Sequence, residues 1–383
     1  MSFNSIRRAI AKFVLKGAFL RWWCHRKSLL VEDLCLRKII EMSKQVPNEI
    51  PRPKTAPKQQ LRKLLFIADV MWEKNELIPE LEKICTVEAL DIHSALQNLP
   101  AEKAAPAVAR AVEKFLHENR SENPDAIFFY AKGNHLSEDV FSLLRKKCSG
   151  PLIGMNLDDK VAFWPYEVYR NGESYRKWTK HFDLNLTDEK TAISWYKEAG
   201  AACLYIPPAM RLPTGLKMPT STNFKYPLSF VGSPKPDREI IISKLQSYDI
   251  PISLFGKGWP GSLWESDTAS IYRSSQINLG IGMISPNLTH LKNRDFECPG
   301  SGACYLTTFN WELAEWWDIG KEILCYRNTE ELIEIVSWYR NRPEDCLAIA
   351  QAAWNRAIRE HTWEIRFRDI FGRLGFRLPP KTA

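Results

Sequence analysis

Residues 126–156, AIFFYAKGNHLSEDVFSLLRKKCSGPLIGMN, contain two short apolar runs separated by an amphipathic segment. The runs 126–130 and 152–156 have the length and composition of buried strands, and the segment 137–147 has the pattern of a helix. Strands that alternate with helices form parallel sheets with helical crossovers. The alternation continues on both sides of this stretch, and we therefore predict an α/β fold.

The alternation divides the chain of 383 residues into two halves, each long enough for its own hydrophobic core. In the first half, strands are predicted at 63–68, 87–91, 126–130, 152–156, 182–186 and 203–206. The segment 211–223, rich in Pro, Thr and Ser, suits a connection between domains. In the second half, strands are predicted at 228–231, 252–255, 277–280, 304–307 and 322–326.

Helices are predicted among these strands and at the end of the chain. Their ranges are 104–117, 137–147, 237–247, 310–317, 329–339, 343–360 and 363–374. In the last of them, Trp363, Phe367 and Phe371 are spaced four apart and are interpreted as packing residues. Open α/β sheets bind ligands beside the carboxyl ends of their strands, so we expect the site in the loops that follow the strands.

The positive charge of the chain is concentrated at its N-terminus. Residues 1–60 hold thirteen Lys/Arg against four Asp/Glu, whereas the remaining chain holds 40 against 41. A body without net positive charge argues against a nucleic-acid partner. Within residues 3–27, an apolar stripe at helical spacing, basic residues beside it and the pair Trp22-Trp23 fit two roles. The helix either lies on an anionic membrane surface or packs on protein, and residues 45–60 with their four prolines are interpreted as a linker.

The nine cysteines are scattered, without a CxxC pair or the spacing of a zinc site. Free thiols in a reducing cytoplasm are therefore predicted. No uncharged apolar run reaches the ~18 residues of a membrane-spanning helix, and Lys12, Lys16 and Arg21 interrupt what would be the apolar core of a signal peptide. We expect a cytoplasmic protein, peripheral on the inner face of the membrane if the N-terminal helix binds lipid.

A set of short motifs in the second half has a familiar order and spacing. These are FVGS at 230–233 with Arg238, LFGKGW at 254–259, IYRSSQINL at 271–279, RDFE at 294–297, GSG at 300–302, GKEI at 320–323 and HTW at 361–363. As a set, over residues 226–370, they resemble the C-terminal domain of the CgeB-like glycosyltransferases, relatives of the large retaining GT-B group. The first half resembles the matching N-terminal domain mainly through MNLDD at 155–159.

This resemblance implies the GT-B architecture, in which two Rossmann-like domains face a central cleft. It implies an acceptor-side domain at 61–213, a donor-side domain at 224–361 and a C-terminal helix at 362–378 that crosses back to the first domain. The implied activity is transfer of a sugar from a nucleoside-diphosphate sugar to a hydroxyl of a glycan, a lipid-linked glycan or a protein. The donor is a substrate, and neither a cofactor nor a metal is expected.

Four charged residues are candidates for binding the donor. In the resembled family an acid at the position of Glu297 binds the ribose, because a carboxylate accepts hydrogen bonds from both hydroxyls of a diol. The alternative is that Glu297 is an acid at the start of a helix, where the helix dipole favours a negative charge. Arg294 is a candidate for the diphosphate, or else a surface arginine paired with Asp295. Arg238 is a second phosphate candidate, and Lys292 is a weaker third.

Glycines and an aromatic residue complete the predicted donor site. Gly232 and Ser233 form a turn whose backbone N–H groups are able to approach a phosphate. Gly256 and Trp259 follow a strand, where the indole either stacks on a base or sugar or packs within a turn. Gly302 lies close to Glu297 in sequence.

Candidate catalytic residues come from the first half. Asp158 and Asp159 follow a predicted strand, where a carboxylate is placed to deprotonate an acceptor; the alternative is an exposed acidic turn. His135 and Asp69 also follow strands, although a lone loop histidine is often a surface residue.

One position departs from the resembled pattern. The related retaining group often has a second glutamate eight residues before the acid matched by Glu297, and this chain has Thr289 there. The stereochemical outcome stays open, and two rival functions remain: a catalytically silent nucleotide-binding or interaction protein, and a nucleotide-sugar epimerase.

Overall fold

The computed structural model describes residues 59–69, 73–118, 123–130, 132–164, 174–212, 215–259, 268–285 and 288–381. The predicted N-terminal helix and all but two residues of the linker lie outside these ranges. The described residues form two compact units, one of residues 59–212 with 358–381 and the other of residues 215–357.

The described part of the first unit contains a six-stranded sheet. Its strands are β1 (Lys63–Ala68), β2 (Thr86–Asp91), β3 (Ala126–Tyr130), β4 (Leu152–Asn156), β5 (Leu184–Thr187) and β6 (Cys203–Tyr205). The order across the sheet is β2-β1-β3-β4-β5-β6, and every neighbouring pair is parallel. Parallel pairing brings the loops after β1, β2, β3 and β4 to the same edge of the sheet.

Helices follow these strands along the chain. They are α1 (Glu73–Glu76), α2 (Ile78–Glu82), α3 (His93–Leu96), α4 (Ala104–Glu118), α5 (Glu138–Lys147), α6 (Asp159–Ala162) and α7 (Ala192–Glu198), with 3₁₀ turns at Ala101–Lys103, Gly133–His135 and Tyr175–His181. In α5, the Ser137 side chain accepts the Val140 N–H at 3.3 Å, acids occupy the first turn and bases the last. Capping and charge placement stabilise this helix where the sequence predicts it.

Alternating residues of each strand pack into separate hydrophobic clusters. Leu65 and Ile67 of β1 belong to one cluster, whereas Leu64, Phe66 and Ala68 belong to the other. The sheet is therefore covered on both sides, which explains why its strands read as continuous apolar runs.

The second unit has a five-stranded parallel sheet and a short hairpin in its described part. The strands are β7 (Tyr226–Val231), β8 (Ser253–Phe255), β9 (Ser275–Leu279), β12 (Tyr305–Thr308) and β13 (Leu324–Tyr326), and the antiparallel hairpin pairs β10 (Met283–Ser285) with β11 (Leu288–Thr289). The sheet order is β13-β12-β9-β7-β8. Its helices are α8 (Pro236–Gln246), α9 (Thr268–Arg273), α10 (Arg294–Gly300), α11 (Leu313–Trp316), α12 (Thr329–Tyr339) and α13 (Pro343–Glu360).

The last helix, α14 (Trp363–Arg373), belongs to the first unit. Trp363, Phe367 and Phe371 are fully buried in the cluster that contains Phe66 and Phe128, so their predicted packing role is confirmed. Phe367 meets Phe128 edge-on, with ring centroids 5.9 Å apart.

Most observed limits lie within two residues of the predicted ones, and two of the differences have a local cause. The helix expected at 310–317 covers only Leu313–Trp316, because the Asn310 side chain accepts the Glu312 N–H at 3.1 Å and forms a turn first. The strand expected at 322–326 begins at Leu324, after a turn in which Gly320 has φ +91°.

Seven cysteines lie in the described residues, and all seven are free thiols. No helix of the described part combines the length and apolar character needed to span a membrane.

Candidate functional site

Two glycines form the centre of the candidate site, at the carboxyl ends of the neighbouring strands β7 and β8. Gly232 has φ +151° and Gly256 has φ +129°. The Gly232 N–H donates to the Phe255 carbonyl at 2.8 Å, and a Cβ on Gly256 would lie 2.6 Å from the Gly232 carbonyl oxygen. The backbones approach so closely that Gly256 has no room for a side chain.

Two arginines converge on this turn. A Cβ on Gly232 would lie 2.9 Å from Nη2 of Arg294 and 3.2 Å from Nη1 of Arg238. The Cζ atoms of Arg294 and Arg238 are 5.2 Å and 5.4 Å from the ring centroid of the buried Phe230. Residues 56 apart in sequence thus place two guanidinium groups beside one glycine.

Each guanidinium group has an uncharged hydrogen-bond partner. Arg238 Nη1 donates to the Ser233 carbonyl at 2.7 Å, and Arg294 is hydrogen-bonded to the Tyr272 side chain. Burial lowers the pKa of the second guanidinium, but Tyr272 and the neighbouring carboxylates of Asp295 and Glu297 raise this pKa above its usual value. Burial and, to a smaller extent, repulsion from Arg294 together lower the pKa of Arg238 to about 10. Both groups are still cations at neutral pH, so the turn is suited to an anion with several oxygens.

Trp259 braces the turn. Its Nε1–H donates to the Gly232 carbonyl at 2.6 Å, and its ring meets Phe230 edge-on at 6.2 Å. These contacts support the packing alternative raised by the sequence. Stacking on a base or sugar would use the face of the indole ring and does not depend on its N–H.

Helix α10 carries the next two predicted residues. Asp295 is buried and accepts from the Lys292 N–H and the Tyr305 hydroxyl, both at 2.7 Å. These bonds fix the first turn of the helix and direct Asp295 inward, so it does not form the predicted surface pair with Arg294. Glu297 lies three residues after Arg294 and on the same side of the helix, and both are half-buried.

Gly302 is a glycine for a different reason from Gly232 and Gly256. It follows α10 with φ +80°, and a Cβ there would lie 2.8 Å from Cδ of Pro219 and 3.0 Å from Nη1 of Arg273. A glycine is therefore required for the helix end and its packing. The structure does not bring Gly302 to the two arginines. Thr289 is on β11.

In the first unit, the two predicted aspartates differ in exposure. Asp158 is exposed, whereas Asp159 is fully buried, 2.6 Å from Nδ2 of Asn156 and 3.1 Å from the Tyr196 hydroxyl. Burial raises the pKa of Asp159 to about 8. An internal carboxyl of this kind holds the loop together and does not reach a substrate, which argues against its predicted catalytic role.

His135 is also buried, on the 3₁₀ turn after β3. Burial lowers its pKa to about 4, Lys132 adds to this effect and Asp69 opposes it. Its Nδ1 lies 3.4 Å from the Lys132 backbone nitrogen and accepts that N–H. The proton of the neutral ring is then on Nε2, so His135 is a hydrogen-bond donor and has no free lone pair for general-base work.

Sequence reasoning missed His93. Its Nδ1 lies 2.6 Å from Oδ1 of Asp69, and about one third of each side chain is exposed (35% and 32%). A signal was present, because His93 follows the predicted strand 87–91 by two residues, as Asp69 follows β1 by one. The two side chains meet only because β1 and β2 are neighbours in the sheet. The residues at the end of one strand do not show which strand lies beside it.

Comparisons with known proteins agree with this architecture. Residues 238–372 match the model of the family described as glycosyl transferase-like. Comparison with curated proteins gives no significant match.

Several solved structures share the fold at low sequence identity. A sucrose-phosphate synthase from Thermosynechococcus elongatus superposes with a TM-score of 0.56 and 11% identity over 82% of this chain and 99% of that chain. The Anabaena protein HepE in complex with UDP and glucose gives a TM-score of 0.55 and 13% identity over 82% and 99%. A glycosyltransferase from Rickettsia africae gives 0.50 and 10% over 82% and 98%. The chain thus has the GT-B fold, with a glycosyl transferase-like segment that contains Arg238, Arg294 and Glu297.

Proposed function

We propose that the chain is a glycosyltransferase that moves a sugar from a nucleoside-diphosphate sugar to a hydroxyl acceptor. The observation that carries the proposal is the convergence of Arg238 and Arg294 on the Gly232 turn. Two fixed cations at a glycine turn match the charge and the shape of a diphosphate.

The same arrangement serves the reaction as well as binding. Negative charge develops on the diphosphate as its bond to the sugar breaks, and positioned cations stabilise that charge most in the transition state. Because Arg238 and Arg294 repel each other, an anion between them relieves a cost already present in the free protein. Binding and catalysis then use the same two side chains.

Glu297 is proposed to bind the ribose. It lies one helical turn after Arg294 on the same side of α10, so a nucleotide whose diphosphate contacts Arg294 extends along that side. A carboxylate at that distance accepts both ribose hydroxyls.

The donor is proposed to be a UDP-sugar. HepE has been solved with UDP and with UDP-glucose, and it shares the fold. The motif set supports assignment to the CgeB-like branch, and we extend the proposal to hexosyl transfer onto a glycan or lipid-linked glycan in polysaccharide biosynthesis, in the cytoplasm.

The reaction is proposed to need no metal and no cofactor, because two arginines already supply the positive charge at the leaving group. Turnover in EDTA equal to turnover in Mg²⁺ or Mn²⁺ is the expected result. Loss of turnover in EDTA with recovery on adding either ion would contradict this part.

Residues 3–27 are proposed to bind an anionic membrane, which would place the enzyme beside a lipid-linked acceptor. In flotation with anionic liposomes, the full chain should float and a chain without residues 1–30 should not. Equal behaviour of the two would rule out the anchor.

Transfer itself is tested by incubating the purified chain with UDP-glucose and other nucleotide sugars, with and without a panel of glycan and lipid-linked acceptors. The proposal predicts a glycosylated product and release of UDP. Nucleotide binding without turnover would favour the silent protein, and a changed sugar in the absence of acceptor would favour the epimerase.

A further inference from the structure

Lys257 lies in the turn after β8, between two glycines that pack against the Gly232 turn. A Cβ on Gly256 would lie 2.6 Å from the Gly232 carbonyl oxygen, and a Cβ on Gly258 would lie 2.8 Å from Cγ of Pro234. The two glycines have φ values of +129° and +108°, a backbone conformation that favours glycine. The backbone on both sides of Lys257 is thus in direct contact with the turn on which the two arginines converge.

The side chain of Lys257 is long enough to reach a ligand at that turn. A Cβ on Gly256 would lie 3.3 Å from the Gly232 Cα. Because consecutive Cα atoms are about 3.8 Å apart, the Cα of Lys257 lies within about 9 Å of the Gly232 Cα. The five bonds of a lysine side chain, each about 1.5 Å long, extend it by about 6 Å. The ammonium group is therefore able to contact an anion at the turn without movement of the backbone.

Lys257 differs from the two arginines because it has no protein partner. Arg238 donates to the Ser233 carbonyl, and Arg294 is hydrogen-bonded to Tyr272. The side chain of Lys257 is exposed, and it forms neither a hydrogen bond nor an ion pair in the part of the chain that the structure describes. Three cations around one turn raise its positive potential and favour a ligand with several negative charges.

Arginine and lysine offer different contacts to such a ligand. The guanidinium nitrogens of Arg238 and Arg294 meet at the position that a Cβ on Gly232 would occupy, so both arginines face the phosphate nearest to this glycine. An ammonium group is a point charge on a flexible stem, with three rotatable donors. It is therefore suited to a second phosphate, whose position varies with rotation about the bridging P–O bonds.

Resting on the proposed glycosyl transfer, we infer that Lys257 binds the second phosphate of the donor and thereby selects nucleoside diphosphates over nucleoside monophosphates. A monophosphate is held by the two arginines and leaves the lysine unpaired. A diphosphate brings additional charge and additional oxygens within reach of Nζ, and its complex gains a charge-assisted hydrogen bond. The donor class is then a sugar carried on a nucleoside diphosphate.

The test compares the binding of UDP and uridine monophosphate (UMP) by calorimetric titration of the full chain. Lys257→Met and Lys257→Gln remove the charge, whereas Lys257→Arg keeps it. Lys217→Met is the matched control, because Lys217 is an exposed lysine of the same unit that has no ion pair in the described ranges. The thermal midpoint of each variant is measured beside its affinities.

Lys257→Met and Lys257→Gln should each weaken UDP binding by about tenfold, while the affinity for UMP changes by less than about twofold. The preference for UDP over UMP should therefore fall by nearly the same factor as the UDP affinity. Lys257→Arg should keep most of the preference, and Lys217→Met should change neither affinity. Added salt should reduce the difference between the wild type and Lys257→Met, because salt screens exposed charges.

Failure of the wild type to bind UDP would defeat the proposed function itself. If the wild type binds UDP, unchanged UDP affinity in both neutral variants would overturn the inference about Lys257 alone. An equal loss of affinity for UDP and UMP, or an equal loss in Lys217→Met, would overturn it as well.

Discussion

Arg238 and Arg294 place two positive charges over the same phenylalanine ring, Phe230, beside a glycine at which a Cβ would touch both guanidinium groups. Both arginines were candidates from residue type alone, since one guanidinium group binds two phosphate oxygens at once. Their convergence was not visible in the sequence, because it depends on α8, which carries Arg238, and α10, which carries Arg294, meeting at the end of β7.

Replacing either arginine by lysine keeps the charge but removes the planar pair of donors. Arg238→Lys and Arg294→Lys should each lower kcat/KM for the donor by roughly 10-fold to 100-fold, since hydrogen bonds to charged groups contribute ~1.5–3 kcal/mol. The fold-loss in kcat/KM of the double variant should be smaller than the product of the two single losses, because both side chains contact one diphosphate. Arg110→Lys, on the exposed side of α4, is the matched control, and equal losses there would contradict a local effect.

Asp159 gives a prediction about pH. Its pKa rises from 3.8 to about 8 on folding, mainly through burial, so between these values the folded chain binds more protons than the unfolded chain. Its contribution to the free energy of unfolding is therefore present below about pH 4 and is lost as the pH rises to about 8. Asp159→Asn cannot ionise and should gain stability relative to the wild type by up to ~1.4 kcal/mol per pH unit over this range.

Urea unfolding of both proteins at pH 5 and pH 8 measures the difference, with Asp158→Asn as the exposed control. A difference in stability that does not change with pH would show that Asp159 is ionised in the folded chain.

At the scale of elements, the sequence predicts strands well where both sides of the sheet are covered. β3 and β4 are continuous apolar runs, and their observed limits are the predicted ones. Short elements were harder. The hairpin of β10 and β11 has too few residues for a periodic signal, and α10 is a short helix that ends at Gly300, two residues before the positive φ of Gly302.

For the loops after the strands, too, local sequence predicted only part of the candidate site. Gly232 and Gly256 were predicted from turn chemistry, whereas the burial of Asp159 and His135 depends on neighbours that the local pattern does not contain. His93 was missed because Asp69 precedes it by 24 residues.

Gly256→Ala tests the contact between the ends of β7 and β8. A methyl group would lie 2.6 Å from the Gly232 carbonyl oxygen at a φ of +129°, so the turn must shift. We expect a loss of ~1–3 kcal/mol in stability, together with weaker nucleotide binding. Gly372→Ala is the control, because a Cβ there meets no atom within 4 Å. Unchanged nucleotide affinity in Gly256→Ala would show that the turn does not support the site.

At the scale of the whole molecule, each unit has its own hydrophobic cluster, and the chain returns to the first unit through α14. The alternating pattern predicted two α/β halves, and the four-residue spacing of aromatic residues predicted the packing of α14. The N-terminal helix is a prediction that the described residues do not reach.

Phe367→Ala should destabilise the first unit by ~3–5 kcal/mol, since it removes a fully buried ring that packs on Phe128. Leu332→Ala, fully buried in the second unit, is the matched control. Hydrogen exchange should show lost protection in β1, β3 and β4 for the first variant, and in β7 and β9 for the second. The same pattern in both variants would contradict two separate cores.

The most direct test of the donor site is calorimetric titration of the wild type and Glu297→Ala with UDP, GDP, ADP and CMP. We expect UDP to bind the wild type and Glu297→Ala to weaken this binding at least tenfold, through loss of about 1.4 kcal/mol of ribose contacts. Absence of binding by any of the four nucleotides, or equal UDP affinity in both proteins, would contradict a nucleotide-sugar site built on the Gly232 turn and α10.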